Sequence, residues 1–232
     1  MKKLTALLLA VLMILGTCCA LADSDSTNIR IGEYVYLGHW EQNGSNADGA
    51  ESIRWLVIDR NGSTLFLISD KALENLPFNK KSDGTAWAGS YLRQWLNGSF
   101  LTSAFTAEEV AAIQTTQVED TAEHSYSEWN TASRFSGITE DKIFCLSFLE
   151  ACNLLTVQWA CCEPTAVVAK SKNKILTQKI DGNVYCYWWL RTSSYKNNAM
   201  MIAGDGFSSA YEHQHQICVR PVLWVDASAV TQ

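Results

Sequence analysis

The sequence predicts an α+β fold: a hairpin-rich antiparallel sheet with two or three short helices. Three observations carry this. Asn61-Gly62, Asp181-Gly182 and Asp205-Gly206 each lie between a pair of β-rich runs, and such dipeptides mark hairpins because the turn needs positive φ. Two capping-box patterns, Thr106 to Glu109 and Ser147 to Glu150, mark helix starts. Strands and helices also mix without a β-α-β rhythm, and no glycine-rich phosphate loop is present, which argues against a doubly wound parallel sheet.

Taken in order, Glu33 to Leu37 is the first expected strand, followed by a polar loop holding Asn43-Gly44 and Asp48-Gly49. Ile53–Asp59 and Ser63–Ser69 form the first hairpin. Ser90 to Asn97 sets Leu92, Trp95 and Leu96 on one face of a helix, and Gly98 is placed to end it. Phe105 and Val110 are spaced as a hydrophobic staple around the Thr106 cap, so Ala107 to Gln114 is expected to be helical. The acidic stretch Glu119 to Asp141 lacks EF-hand spacing and is expected to be a solvated loop. Asp141 to Ser147 reads as a buried strand, and the third helix starts at Ser147 and runs to Leu155. Lys174–Ile180 with Asn183–Arg191, and Ala199–Ala203 with Phe207–His215, are the later hairpins. Ile217 to Val225 is the last strand.

The N-terminus predicts export. Lys2 and Lys3 precede an apolar run from Leu4 to Leu15, and Ala20 and Ala22 stand at −3 and −1 before Asp23, the pattern of a secretory signal peptide over residues 1–22. The run is shorter than the roughly 20 apolar residues a spanning helix needs, so no transmembrane segment is expected. Leu15-Gly16-Thr17-Cys18 loosely resembles a lipobox, but threonine before the cysteine fits it poorly. Cleavage after Ala22 is therefore expected, with lipid anchoring at Cys18 the poorer reading. A short polar linker at 23–29 then precedes a single globular domain at 30–228. The localisation expected is secreted or cell envelope.

A net charge of −6 without a basic stripe argues against nucleic acid as a partner. Nine tryptophans point to a large aromatic core or an aromatic binding surface. Beyond the signal lie Cys145, Cys152, Cys161, Cys162, Cys186 and Cys218, an even set that permits disulfides in an exported chain. No C-x-x-C pair is present, and adjacent Cys161-Cys162 suits neither zinc nor a mutual bridge. One or two bridges are expected, the other cysteines serving as small apolar side chains. The expected pair is Cys162–Cys186, with Thr165–Lys170 running beside the Tyr187-Trp188-Trp189 strand; Cys161–Cys186 is the competitor.

Three segments carry a resemblance. Trp87 to Asn97 (WAGSYLRQWLN), Tyr187 to Thr192 (YWWLRT) and Val219 to Leu223 (VRPVL) resemble, in order, the W-x-x-S-x-L-R-x-W-L-N, W-W-L-R-S and G-V-R-P-A-L signatures of an uncharacterised bacterial domain family found in exported proteins. Ile53 to Ile58 and Asp141 to Ser147 fit as well. Cys218 departs from the family's glycine, and Thr192 from its serine. The terminal pattern is similar to the wider C-type-lectin-like and sulfatase-modifying-enzyme-like superfamily, which implies a C-type-lectin-like fold. Fold alone assigns no function.

Candidate chemistry is sparse. Glu163-Pro164-Thr165 lacks the amide of a lectin calcium loop, and Trp129-Asn130-Thr131 precedes it and lacks the carboxylate. Cys186 and Cys218 lie late in the chain, as a sulfatase-modifying oxidase would require, but only Arg220 stands near enough to lower a thiol pKa. His213-Gln214-His215 sets two imidazoles on one strand face with Tyr211 in line. Zinc usually takes three or four protein ligands, so no metal site is assigned. Arg191 and Arg220 are expected to be structural, with their stems among Trp188, Trp189 and Trp224. The segment from Tyr195 to Gln216 is rich in residues that make adaptable contacts, and it matches in place the ligand-facing surface of some C-type-lectin-like proteins. Its candidate ligand-binding residues are Tyr195, Asn197, Tyr211, His213 and His215. No catalytic residue and no cofactor is assigned. The function expected is an exported, non-catalytic binding module for a glycan or protein ligand. The alternatives are an enzyme or enzyme-accessory domain using the His213/His215 face, or a structural cell-envelope protein.

Overall fold

The computed structural model describes residues 28–232 apart from 46, 82, 125–133, 173, 195–196 and 213–215, with the backbone alone for 208–212. The expected signal peptide, nearly all of the linker and the Trp129-Asn130-Thr131 tripeptide lie outside the described residues.

Two sheets form the body, each built from segments distant in sequence. β1 (Tyr34–Trp40), β2 (Glu51–Asn61), β3 (Thr64–Ser69) and β13 (Val222–Asp226) pair antiparallel in that order. The second sheet has the order β11 (Ser208–Glu212), β10 (Asn198–Ile202), β9 (Trp188–Ser193), β12 (Gln216–Val219), β4 (Glu74–Pro77). Its β9 and β12 run parallel through Cys218 and Trp188, while its other pairs are antiparallel. The expected last strand is therefore two strands in two sheets. Pro221 has no N–H to give a ladder, and its carbonyl instead accepts the Ser69 N–H at 3.0 Å. The chain changes sheets at Arg220-Pro221.

Turn chemistry sets the hairpins. β2 and β3 close with Asn61 opposite Thr64, so the loop is Gly62-Ser63, one residue beyond the expected centre. Only Gly62 of that loop has positive φ, at 58°, as a type II′ turn requires. β7 (Thr177–Ile180) and β8 (Asn183–Cys186) close through Asp181 and Gly182, both at positive φ, the type I′ pattern. β8 ends at Cys186 and β9 joins the other sheet, so the expected strand from Asn183 to Arg191 is broken at Tyr187. The β10–β11 connection is wider, with the Ala203 N–H on the Phe207 carbonyl at 2.7 Å.

The acidic stretch is not a solvated loop at its ends. β5 (Thr116–Asp120) pairs antiparallel with β6 (Gly137–Asp141), and Asp120 and Asp141 are buried, at 2% and 1% exposure. The expected strand from Asp141 to Ser147 reduces to one bridge, Phe144 with Val222.

The helices are short. Ser90 Oγ accepts the Arg93 N–H at 3.1 Å and starts α1 (Tyr91–Trp95). Gly98 does not end it: a π turn over Leu96–Phe100 carries the chain into α2 (Leu101–Ala104). Gly98 stays out of the left-handed region that a C′ glycine needs, and Leu96 and Phe100 bury themselves through the turn. Both capping boxes form reciprocally, starting α3 (Ala107–Ala112) and α4 (Phe148–Leu154). α5 (Val157–Ala160) and α6 (Ala166–Ala169) follow. Residues 165–170 are thus cap and helix rather than an extended neighbour of the Trp188 strand. No helix among the described residues is long and apolar enough to cross a membrane.

Tryptophans hold the layers together from inside. Trp55, Trp87, Trp188 and Trp189 are fully buried, and each indole N–H has a partner in another segment: the Leu37 carbonyl, the Asp141 carboxylate, the Ala160 carbonyl and the Leu76 carbonyl, at 2.8–2.9 Å. A buried indole supplies large apolar area and one directional bond. Trp189→Ala should therefore lower the unfolding free energy by about 3–5 kcal/mol, read from the urea midpoint. Trp95→Ala, at a half-buried position, should cost less; equal midpoints for wild type and Trp189→Ala would contradict this packing.

Candidate functional site

Arg191 and Arg220 are buried and Arg93 is half-buried; Arg93 and Arg191 are neutralised by carboxylates. Arg93 Nε donates to Asp141 Oδ1 at 2.7 Å. Arg191 grips Glu150 with both terminal nitrogens, at 2.5 and 2.7 Å, and also donates to the Cys145 and Glu119 carbonyls. The expectation that Arg191 is structural fits this geometry.

Arg220 differs. It is 2% exposed, its Nε donates to the Ser69 carbonyl at 2.9 Å, and its Nη1 donates to the Trp159 carbonyl at 2.5 Å. Its guanidinium carbon stands 5.2 Å from the centre of the Trp188 ring. Among the described residues no carboxylate lies at ion-pair distance from it. It lines an open cleft of about 350 Å³, together with residues of several other segments.

The topology explains how the cleft is assembled. Tyr34 comes from β1, Arg54 and Leu56 from β2, and Asp70 and Lys71 follow β3. Gln158 and Trp159 sit on α5, Cys161 and Glu163 follow it, and Tyr185 comes from β8. Arg54 donates twice to Asp70 Oδ2, at 3.0 and 2.6 Å, and lies 4.6 Å from the Tyr34 ring centre. Lys71 Nζ pairs with Glu163 Oε2 at 3.2 Å. Burial, and then the negative charge of Asp70, pushes the Tyr34 phenol above its ordinary pKa, so it stays a neutral donor at physiological pH.

Of the sequence-predicted site residues, Tyr195, His213 and His215 lie outside the described residues. Tyr211 is placed by its backbone alone, on β11 opposite Ala199. Asn197 is half-buried, and its Oδ1 lies beside Gly84, 2.9 Å from where a Cβ there would stand; it is not part of the cleft lining. Glu163 pairs with Lys71, and Thr165 caps α6. No group of three or more histidine, cysteine, aspartate or glutamate side chains among the described residues is arranged to hold a metal.

The model of the Domain of unknown function (DUF6273) matches residues 61–227. The chain belongs to the DUF6273 family. No similar protein was found among curated proteins, and none among solved structures. The DUF6273 match takes in the segments 87–97, 187–192 and 219–223, and of the cleft it takes in everything from Asp70 to Arg220; Tyr34, Arg54 and Leu56 precede it.

The six described cysteines of this DUF6273 chain are free thiols. The expected Cys162–Cys186 bridge is not formed, although the two are neighbours: the Cys186 N–H and thiol both donate to the Cys162 carbonyl, at 2.8 and 3.3 Å. Burial pushes both thiols well above the ordinary range. Cys145, fully buried, is pushed up to about 12. Cys161 is the thiol that lines the cleft, and burial, then Asp205 and Cys162, raise its pKa too. A raised thiol is protonated at neutral pH and is a poor nucleophile. Cys161 should accordingly react with iodoacetamide at pH 7 more slowly than free cysteine does, and speed up only as the pH rises beyond the ordinary thiol range. Labelling faster than free cysteine at pH 7, followed by peptide mass, would mark an activated nucleophile and contradict this.

Proposed function

We propose that this DUF6273 protein is an exported, non-catalytic binding module that takes a glycan or protein ligand in the Arg220 cleft. The observation that carries the reading is the make-up of that cleft. Polar and aromatic groups from separate segments converge on an open concavity, while both of its carboxylates are committed to Arg54 and Lys71. Convergent polar groups in a concave site are what ligand recognition needs. Catalysis would need a base or nucleophile poised for proton or group transfer, and the cleft thiol is poised the other way.

Two finer proposals accompany it. One is that the fold is C-type-lectin-like. Its support is the mostly antiparallel sheets with short helices, and the late Arg-Pro segment that closes the domain against the Trp188 strand. The other is that export places Cys162 and Cys186 in an oxidising compartment, where these neighbouring thiols become bridged.

A glycan and protein array probed with protein recovered from the culture medium tests the reading. A defined set of positives should appear for the wild type and vanish for Gln158→Trp, which fills the cleft mouth from an exposed helix position without moving the urea midpoint. The same protein should begin at Asp23 and give a Cys162–Cys186 peptide without reduction. An array pattern unchanged by Gln158→Trp would remove the cleft as the site. A lipid on Cys18 would contradict the cleavage proposed, and free thiols at 162 and 186 the bridge.

A further inference from the structure

We infer that the cleft holds its ligand through one carboxylate seated on the Arg220 guanidinium, so that the ligand class is a carboxylate-bearing small molecule or chain end: an acidic sugar or a free organic acid. This rests on the cleft being the binding site.

A guanidinium carries five N–H donors and never loses its charge in a protein. In Arg220 the Nε–H goes to Ser69 and one Nη1–H to Trp159. Among the described residues three donors are left over, one on Nη1 and two on Nη2, and paired guanidinium donors match a carboxylate in two parallel bonds. The two carbonyls and the Trp188 ring fix the plane of the group before any ligand arrives, which reduces the ordering cost of binding. This cation is buried, and among the described residues it lacks the carboxylate that Arg93 and Arg191 each have. A buried charge without a counter-ion is costly to the fold, and an anionic ligand removes that cost.

Charge decides between anions. Arg54, Lys71 and Arg220 face Asp70 and Glu163 across the cleft, which leaves a single positive charge and suits a monoanion. A phosphate dianion would meet two carboxylates that repel it. The cavity of about 350 Å³ lies at the small end of the range for small-molecule sites, roughly 300–1,000 Å³. Once the carboxylate is seated, Asp70 and Glu163 become acceptors for ligand hydroxyls or an ammonium group, and the Tyr34 hydroxyl stays a donor.

Titration calorimetry on the purified protein with D-glucuronate, D-galacturonate, L-glutamate, D-glucose and inorganic phosphate tests this. At least one carboxylate should saturate the protein at millimolar concentration or below. Arg220→Lys, which keeps the charge and loses the fork, should weaken it about tenfold or more. Glu163→Gln sits at a half-exposed position and so spares the fold; it frees Lys71 and should tighten the same carboxylate several-fold, which keeps the test alive if Arg220→Lys unfolds. Binding of uronates alone assigns an acidic sugar, and equal binding of glutamate assigns a free organic acid. Carboxylate affinity unmoved by Glu163→Gln and by a folded Arg220→Lys overturns the inference, as does phosphate binding tighter than any carboxylate. Glucose binding as well as glucuronate, with both lost in Gln158→Trp, overturns the carboxylate while leaving the cleft as a binding site. No binding by any of the five probes overturns the inference, and the array decides the cleft reading separately.

Discussion

A single buried carboxylate organises the middle of this chain. Asp141 is buried and takes four donors: the Trp87 indole, the Arg93 guanidinium, the Thr139 hydroxyl and, at 3.3 Å, the Asn97 amide. Removing a carboxylate from water is costly unless charge and donors replace the water. Meeting that demand fixes α1 and the turn before it against the end of β6. Asn97 extends the same network, because its amide donates to the Ile143 carbonyl and accepts from the Lys142 backbone. Much of the W-x-x-S-x-L-R-x-W-L-N segment is thereby explained: Trp87, Arg93 and Asn97 serve Asp141, Ser90 caps α1, and Leu92 and Leu96 are core.

Glu150 plays the matching role one layer away. It closes its own capping box through Oε2 and receives the Arg191 fork, so one side chain both starts α4 and anchors β9. Arg220 stands apart from these two systems. It is as buried as Arg191 but has no carboxylate partner among the described residues, and it sits where the chain passes directly from β12 in one sheet to β13 in the other. That position brings β1, β2, α5 and the β7–β8 hairpin around one cation. The buried networks explain the fold; the cleft is where the fold leaves chemistry over.

Local chemistry was legible in the sequence, and long-range geometry was not. Both capping boxes and the Asp181-Gly182 turn could be read because each is settled by residues within a few positions of one another. Gly98 misled because a glycine permits a helix end without requiring one, and the burial of Phe100 outweighed that permission. Asp120 and Asp141 resembled solvated acids because nothing local announces the Ser136 donors of the one or the Trp87 and Arg93 donors of the other. The strand from Ile217 to Val225 hid its break at Pro221, since both halves are apolar and β-rich. The cleft was missed for the same reason at larger scale: its residues come from distant segments with no shared spacing. The one available signal was Arg220 itself, an arginine between two apolar strands with no acidic residue beside it in sequence.

Asp141 holds the fold, while Arg220 is held by it. Urea unfolding of Asp141→Asn and Arg220→Met, side by side, tests it most directly. Asp141→Asn strands Arg93 and turns an amide donor toward other donors, so it should lose about 3–5 kcal/mol, the usual cost of breaking a buried pair. Arg220→Met removes an uncompensated cation and gives up two bonds to carbonyls, so its loss should stay near 1–3 kcal/mol. The reverse order, with Arg220→Met the more damaging, would show that Arg220 is a fold determinant and contradict the account.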